Sequence, residues 1–274
     1  MTEILLDTSE SAMVEAIESN LLAYFPEFRH LPHAEVHFGP DVFWALTDVP
    51  YPLYNSVLDA RFEPSQADAA IESAIARGRS RNVPLLWWIG PKTRPADLGR
   101  SLEAHGFVPA GSAPGMAADL NTLDETSSAP ADLAITRVRD AESLARWCDL
   151  ASVCFELPDF AAAAWRHWYK KVGVPEVSAL THYLGWRNGE PVAMGSMMLG
   201  AGVAGIYNVA TLPSARRQGI GSAMTLAPLL EARAMGYRVG ILQSSEMGVG
   251  VYRNLGFREY CRLDHYLWTD EANE

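Results

Sequence analysis

The chain has 274 residues, 49% hydrophobic and 20% charged, an ordinary globular balance that argues against extended disorder. The length suits two domains of the usual size of about 100 to 150 residues. A formal charge of −11 disfavours nucleic acid as a partner, because phosphate backbones are held through basic surfaces.

The opening Met1-Thr2-Glu3-Ile4-Leu5-Leu6-Asp7 has no basic n-region followed by a long apolar core, and no segment reaches the roughly 18 apolar residues of a membrane span. A cytoplasmic protein without a membrane partner is expected. Cys148, Cys154 and Cys261 are odd in number and lack Cys-x-x-Cys spacing, so they fit neither a disulfide framework nor a metal site.

Residues 7–25 place Met13, Ile17, Leu21, Leu22 and Phe25 at near-helical spacing, and Pro26 closes this amphipathic helix. Short strand-like runs follow at Val36–Leu46 and Ser56–Phe62, with Pro50 and Pro52 in the turn between them. Pro64 opens a helix that ends near Gly78. A strand from Val83 to Ile89, a Pro-containing loop, a helix from Leu98 to His105 and Gly106-Phe107 come next.

Residues 121–132 are polar, small and proline-containing, which is a linker composition. Beyond it lie a strand at Leu133–Val138, a helix from Asp140 to about Val153 with Asp140 as N-cap, and a helix from Pro158 to Lys171. Strands are expected at Leu180–Arg187, Val192–Leu199 and Val203–Ala210, the first two joined at Asn188-Gly189-Glu190. Ala223, Leu226, Ala227, Leu230 and Ala234 then form the stripe of a helix that Pro228 should kink.

Between that last strand and that helix stands Thr211-Leu212-Pro213-Ser214-Ala215-Arg216-Arg217-Gln218-Gly219-Ile220-Gly221-Ser222. A helix start offers about four unpaired N–H groups and a partial positive charge, which suits an anion. Gly219 and Gly221 remove Cβ atoms that would keep a phosphate from those groups, and Arg216 and Arg217 add planar donors. The segment reads as a pyrophosphate cradle. It has neither P-loop nor Gly-x-Gly-x-x-Gly spacing.

Its Arg/Gln-x-x-Gly-x-Gly/Ala pattern, with Arg216, Gly219 and Gly221 in the defining places, resembles the GCN5-related N-acetyltransferases (GNAT). Ile241-Leu242-Gln243-Ser244-Ser245 followed by Tyr252-Arg253-Asn254-Leu255-Gly256-Phe257 resembles that family's next strand and its Tyr-x-x-x-Gly-Phe helix end. The resemblance spans roughly residues 133 to 268. It implies that acetyl-CoA is the co-substrate, that its pyrophosphate rests on the backbone of Arg217, Gln218, Gly219, Ile220, Gly221 and Ser222, and that its pantetheine arm runs beside Val209, Ala210 and Thr211. Tyr252 falls at the family's general acid. Ser245 stands where many relatives have an asparagine that contacts the pantetheine arm.

The first half repeats the order. Pro84-Leu85-Leu86-Trp87-Trp88, then Leu102 through Gly106-Phe107, parallels Gly240–Ser244, then Tyr252 through Gly256-Phe257, with Leu102 in place of Tyr252. The turn Asp59–Pro64 has no glycine. The expected fold is therefore α/β, an α+β mixed sheet with helices on both faces, as two tandem acyl-CoA N-acyltransferase-like domains. These are a degenerate domain at 1–120, a linker at 121–132, and a catalytic domain at 133–274 that binds acetyl-CoA.

The base is less legible. Gly205–Val209 has no carboxylate where some relatives carry a glutamate. Glu156 and Asp159 flank Leu157-Pro158, in a connection that commonly lines the acceptor site in the family. Either could steer or deprotonate a cationic amine, and either could be a loop carboxylate or helix cap. His167 and His182 titrate in the right range but stand among aromatic residues. Phe155, Phe160, Trp165, Trp168 and Trp186 are either an apolar acceptor pocket or core.

The reading is direct acetyl transfer to a primary amine of a small molecule or peptide, by a monomer or homodimer, without a covalent enzyme intermediate. The alternatives are a catalytically silent acyl-CoA-binding sensor or scaffold, and an enzyme that takes a longer acyl or an aminoacyl donor.

Overall fold

The computed structural model describes residues 3–126, 129–174 and 178–270. In chain order the elements are α1 (Glu10–Tyr24), β1 (Glu35–Phe38), β2 (Phe43–Leu46), β3 (Ser56–Leu58), α2 (Ala67–Arg81), β4 (Leu85–Ile89), α3 (Leu98–Ala104) and β5 (Val108–Asp119). They continue with β6 (Ala134–Arg137), α4 (Ala141–Cys154), α5 (Asp159–Val172), β7 (Leu180–Arg187), β8 (Glu190–Gly200), β9 (Val203–Thr211), α6 (Ile220–Ala234), β10 (Val239–Gln243), α7 (Val249–Asn254) and β11 (Arg258–Trp268). Among the described residues no helix is long and apolar enough to cross a membrane.

Local chemistry sets many of these boundaries. Asp140 caps α4 by accepting the Ser143 N–H at 2.7 Å, and Ser143 answers in a capping box. Asn188 and Gly189, at φ +52° and +82°, make the tight turn from β7 to β8. Asn82, left-handed at φ +54°, ends α2 four residues beyond the expected Gly78.

The residues form two compact units. The larger joins Met1–Tyr24 to Pro114–Tyr260, and the smaller joins Phe25–Ala113 to Cys261–Glu274. In the larger the strands run β5-β10-β9-β8-β7-β6, and in the smaller β1-β2-β3-β4-β11. The pattern repeats. β7, β8 and β9 pair antiparallel in succession and β9 pairs parallel with β10. Likewise β1, β2 and β3 pair antiparallel and β3 pairs parallel with β4.

This division departs from the sequential one at 121–132 in two places. Helix α1 belongs to the larger unit, where it packs on β8, β9 and β10. Met13, Ile17 and Leu21 are buried there, each worth roughly 1.5–3 kcal/mol. The closing strands are also exchanged. β5, which ends the first repeat and was not anticipated as a strand, pairs antiparallel with β10, while β11 pairs antiparallel with β4.

The expected linker is not a free tether: its Leu123 lies in the core of the larger unit, next to Leu120 just before it. Its Ser127 and Ser128 lie outside the described residues. The expected run Val36–Leu46 is two strands around Gly39. Helix α6 continues through Pro228 to Ala234, with Pro228 buried.

Candidate functional site

The site of the larger unit is built on a separation of two strands. β9 and β10 pair only at Ala204–Gly240, Gly205–Ile241 and Ile206–Leu242, yet β9 runs on to Thr211. Its last residues, Val209, Ala210 and Thr211 included, therefore lie beyond the pairing with β10. A bulge marks the departure. Met194 pairs with Ala210 and Ser196 with Tyr207, so Asn208 and Val209 oppose Gly195 alone, and Asn208 takes φ +54°. The Gly195 carbonyl accepts the Trp147 indole N–H at 3.1 Å.

Beyond Thr211 the chain makes one short turn, Pro213–Ala215, and enters α6. Arg217 and Gly219 both sit in the left-handed region, at φ +59° and +76°, a conformation that glycine adopts freely and arginine rarely. The first helical bond is Ala223 N–H to the Gly219 carbonyl at 3.1 Å, so the N–H groups before it point out of the helix start. A Cβ at Gly221 would meet no atom within 4 Å. Nothing in the fold needs a glycine there, and a side chain would occupy only the open space over the helix start.

The arginines divide their work. Arg216 turns back and donates its Nε–H to the Thr211 carbonyl at 3.1 Å, fixing the strand end. The Gln218 side chain is also engaged: its Oε1 accepts from Arg187 Nη1 at 2.8 Å, and Arg187 pairs with Asp132. Arg217 is exposed. Ile220 is buried in the core, while Gly221 and Ser222 are half-buried.

Tyr252 lies on α7, its ring packed against the core and edge-on to Phe257 at 6.0 Å. Burial pushes its phenol up to about 12, partly opposed by a hydrogen bond with Thr225. Thr225, fully buried, donates to the Gly221 carbonyl at 2.9 Å. The Thr225 hydroxyl, which faces the Tyr252 phenol, thus stands between α7 and the first turn of α6. Gly248 makes room for this: a Cβ there would stand 2.8 Å from the Tyr252 ring. Ser245 is exposed in the loop before α7, its carbonyl accepting the Gly248 N–H.

Residues 178–259 match the family model for the acetyltransferase (GNAT) domain. A search of curated proteins gives no match. The chain superposes on the GCN5-related N-acetyltransferase from Kribbella flavida with a TM-score of 0.69 and 19% identity, covering 93% of this chain and 94% of that one. The fold is that of the GNAT acetyltransferases. A tandem GNAT protein from the clavulanic acid biosynthesis pathway aligns at TM-score 0.61 and 15% identity over 96% and 95% of the two chains. The GCN5-related N-acetyltransferase from Sphaerobacter thermophilus gives 0.60 and 14% over 98% and 95%. A GNAT fold supports acyl transfer in general.

Within the larger unit, the first residue of the carboxylate-free stretch Gly205–Val209 is covered from outside the motif. A Cβ at Gly205 would fall 2.0 Å from Asn20 Oδ1. Asn20 is fully buried. It donates Nδ2 to the Met198 and Gly200 carbonyls at 3.2 and 2.9 Å and accepts the Tyr207 hydroxyl at 2.8 Å. Tyr24, one turn later, stacks on Tyr207 at 4.7 Å. Its hydroxyl meets Tyr169 at 2.8 Å and accepts from Asn208 at 3.2 Å. The chain of contacts continues through Ser196 to His182 Nδ1 at 2.8 Å.

His182 is buried among Trp147 and Tyr169, and burial lowers it to about 3. That removes it as a base at neutral pH. His167 is exposed on α5. Trp165 and Trp168 are core, Phe155 and Phe160 are exposed, and Trp186 donates to Thr136 at 2.9 Å. Glu156, at φ +52°, and Asp159, in the first turn of α5, are both exposed; among the described residues neither carboxylate has a hydrogen-bond or ion-pair partner.

Asn20, Tyr24 and Thr225 carried no motif. A buried polar residue at a helical position of an apolar face is the only trace each left in the sequence.

Proposed function

We propose that the chain transfers an acetyl group from acetyl-CoA to a primary amine of a small molecule or peptide. The observation that carries this reading is the conjunction, in one unit, of a strand released from its parallel neighbour, a helix start with open space over Gly221, and a protonated phenol facing Thr225, one helical turn after Gly221. Acetyl-CoA supplies an activated acyl group on a thioester. The backbone of Gln218–Ser222 and the Arg217 guanidinium would hold its pyrophosphate. The main chain of Val209–Thr211 would orient the thioester carbonyl by donors fixed in advance.

At about 12 the Tyr252 phenol stays protonated through the physiological range. It would serve the departing thiolate as a hydrogen-bond donor and proton source, with less driving force than an ordinary tyrosine. Glu156 and Asp159 would attract a cationic amine and take up its proton through water. Burial raises the thiols of Cys148, to about 12, and Cys154, which supports a direct transfer over a cysteine acyl-enzyme.

One observation favours the silent acyl-CoA binder: the stretch Gly205–Val209 carries no carboxylate, and Asn20 packs over Gly205 at its start. Two measurements separate the readings. Calorimetric titration of acetyl-CoA should show binding to the wild type and none to an Arg217→Glu, Gly221→Glu double variant, whose substitutions fall on an exposed side chain and on open space. Steady thiol release with members of an amine panel, reduced in Tyr252→Phe, would support the enzyme. Binding without thiol release would support the sensor, and no binding to the wild type would overturn both.

A further inference from the structure

The smaller unit contains a pocket of its own. It lies between α2 and the strands β2, β3 and β4, has a volume of about 170 Å³, and is lined chiefly by Val42, Trp44, Val57, Ala74, Arg77 and Trp87. All of these residues fall within Phe25–Ala113, whereas the elements that carry the acyl-transfer reading belong to the larger unit.

The repeat accounts for the space. Both α2 and α6 are 15 residues long. Counted from the first residue of each helix, α2 has Ser73 and Arg77 where α6 has Leu226 and Leu230. In the larger unit Leu226 is buried in the core and Leu230 packs against it. In the smaller unit a short hydroxyl and a long cation replace those two leucines, and the volume they would fill is open.

Arg77 and Trp87, besides Ser73, bring polar groups to its lining. Arg77 sits with its guanidinium 4.8 Å from the centre of the Trp44 ring, held over the aromatic face. Among the described residues no carboxylate pairs with it. Trp87 is 1% exposed, and its indole N–H is buried without a hydrogen-bond acceptor in an otherwise apolar wall. Buried donors are almost always satisfied, so this indole N–H is an exception that the chain leaves unpaired in a residue lining the cavity. The volume is close to the roughly 150 Å³ of apolar cavities that accept benzene.

We propose that this pocket binds a small aromatic carboxylate, with its ring among Val42, Val57, Ala74 and Trp87 and its carboxylate toward Arg77. The guanidinium supplies the charge and the planar donors a carboxylate needs. The smaller unit, whose Asp59–Pro64 turn lacks the glycines of the phosphate cradle, is then a ligand-binding module.

The test uses the full chain with benzoate as the probe and benzyl alcohol as its uncharged counterpart, followed by calorimetry and ligand-observed NMR. Benzoate should bind the wild type saturably, one molecule per chain. Arg77→Gln, on an exposed side chain, should weaken benzoate about tenfold while leaving benzyl alcohol unchanged. Ala74→Phe should abolish both by filling the pocket. Should Ala74→Phe fail to fold, Ser73→Leu, which restores the leucine found in α6 from the exposed edge of α2, carries the same expectation. The absence of saturable benzoate binding to the wild type up to about 10 mM, a concentration at which fragment-sized ligands register, would overturn the proposal. So would binding that persists unchanged in a folded pocket-filling variant.

Discussion

Replacing Asn20 by alanine should destabilise the larger unit without touching the cradle. The side chain makes three hydrogen bonds, to Met198, Gly200 and Tyr207, all in a fully buried position. At a net 0.5–1.5 kcal/mol each, their loss costs about 3 kcal/mol. The Tyr207 hydroxyl contributes separately. It is already so buried that its ionisation is driven well above the ordinary tyrosine range, and losing Asn20 removes its acceptor.

The cost should therefore be non-additive. In a Tyr207→Phe background there is no hydroxyl to orphan, and Asn20→Ala should cost about 1–2 kcal/mol less than in the wild type. Urea unfolding of the four proteins, followed by far-UV circular dichroism and tryptophan fluorescence, closes this cycle. An Asn20→Ala penalty under about 0.5 kcal/mol, or a cycle that adds without coupling, would refute the view that this asparagine ties α1 to β8 and β9.

Three further outcomes follow from the geometry. Gly221→Ala should fold as well as the wild type or gain up to about 1 kcal/mol, since its Cβ meets nothing and glycine is costly in a helix; acetyl-CoA affinity by calorimetry should nevertheless fall about tenfold, and unchanged affinity would remove Gly221 from the cradle. Gly248→Ala should displace the Tyr252 ring, because the new Cβ would come 2.8 Å from it; we expect overpacking to cost about 1–3 kcal/mol of stability, read as a lower melting temperature, and a loss of turnover parallel to that of Tyr252→Phe. His182, lowered to about 3 by burial, stays neutral in the fold while the unfolded chain takes up a proton below about 6.5. Its contribution is thus complete above about pH 6.5 and is lost, at roughly 1.4 kcal/mol per pH unit, as pH falls toward 3. Acid titration of stability should be flatter in His182→Gln, and an identical slope would show that other groups set it.

Local patterns made the larger unit readable. A glycine-marked helix start after a strand, and a Tyr-x-x-x-Gly-Phe helix end after the next strand, each depend on contiguous residues with strong conformational demands. So the family resemblance could rest on Arg216, Gly219, Gly221 and Tyr252, while local pattern located the Asp140 cap and the Asn188-Gly189 turn. The sequence by itself indicated much of the element order of both repeats, short of the closing strands β5 and β11 and of the split of 36–46 into two strands, and the residues at the start of α6.

Tertiary structure decided which elements share a core. Strands β5 and β11 satisfy the same pairing demands, so their exchange leaves no mark in periodicity: an antiparallel neighbour to β10 or β4 needs only an alternating strand of suitable length. Helix α1 shows an apolar face in either unit, and only its packing on β8, β9 and β10 places Asn20 over Gly205. The same holds for Thr225, whose role depends on α7 folding back onto α6. Hydrogen bonds between residues as distant as Asn20 and Tyr207 are fixed by burial and direction, and neither is written in the neighbouring sequence.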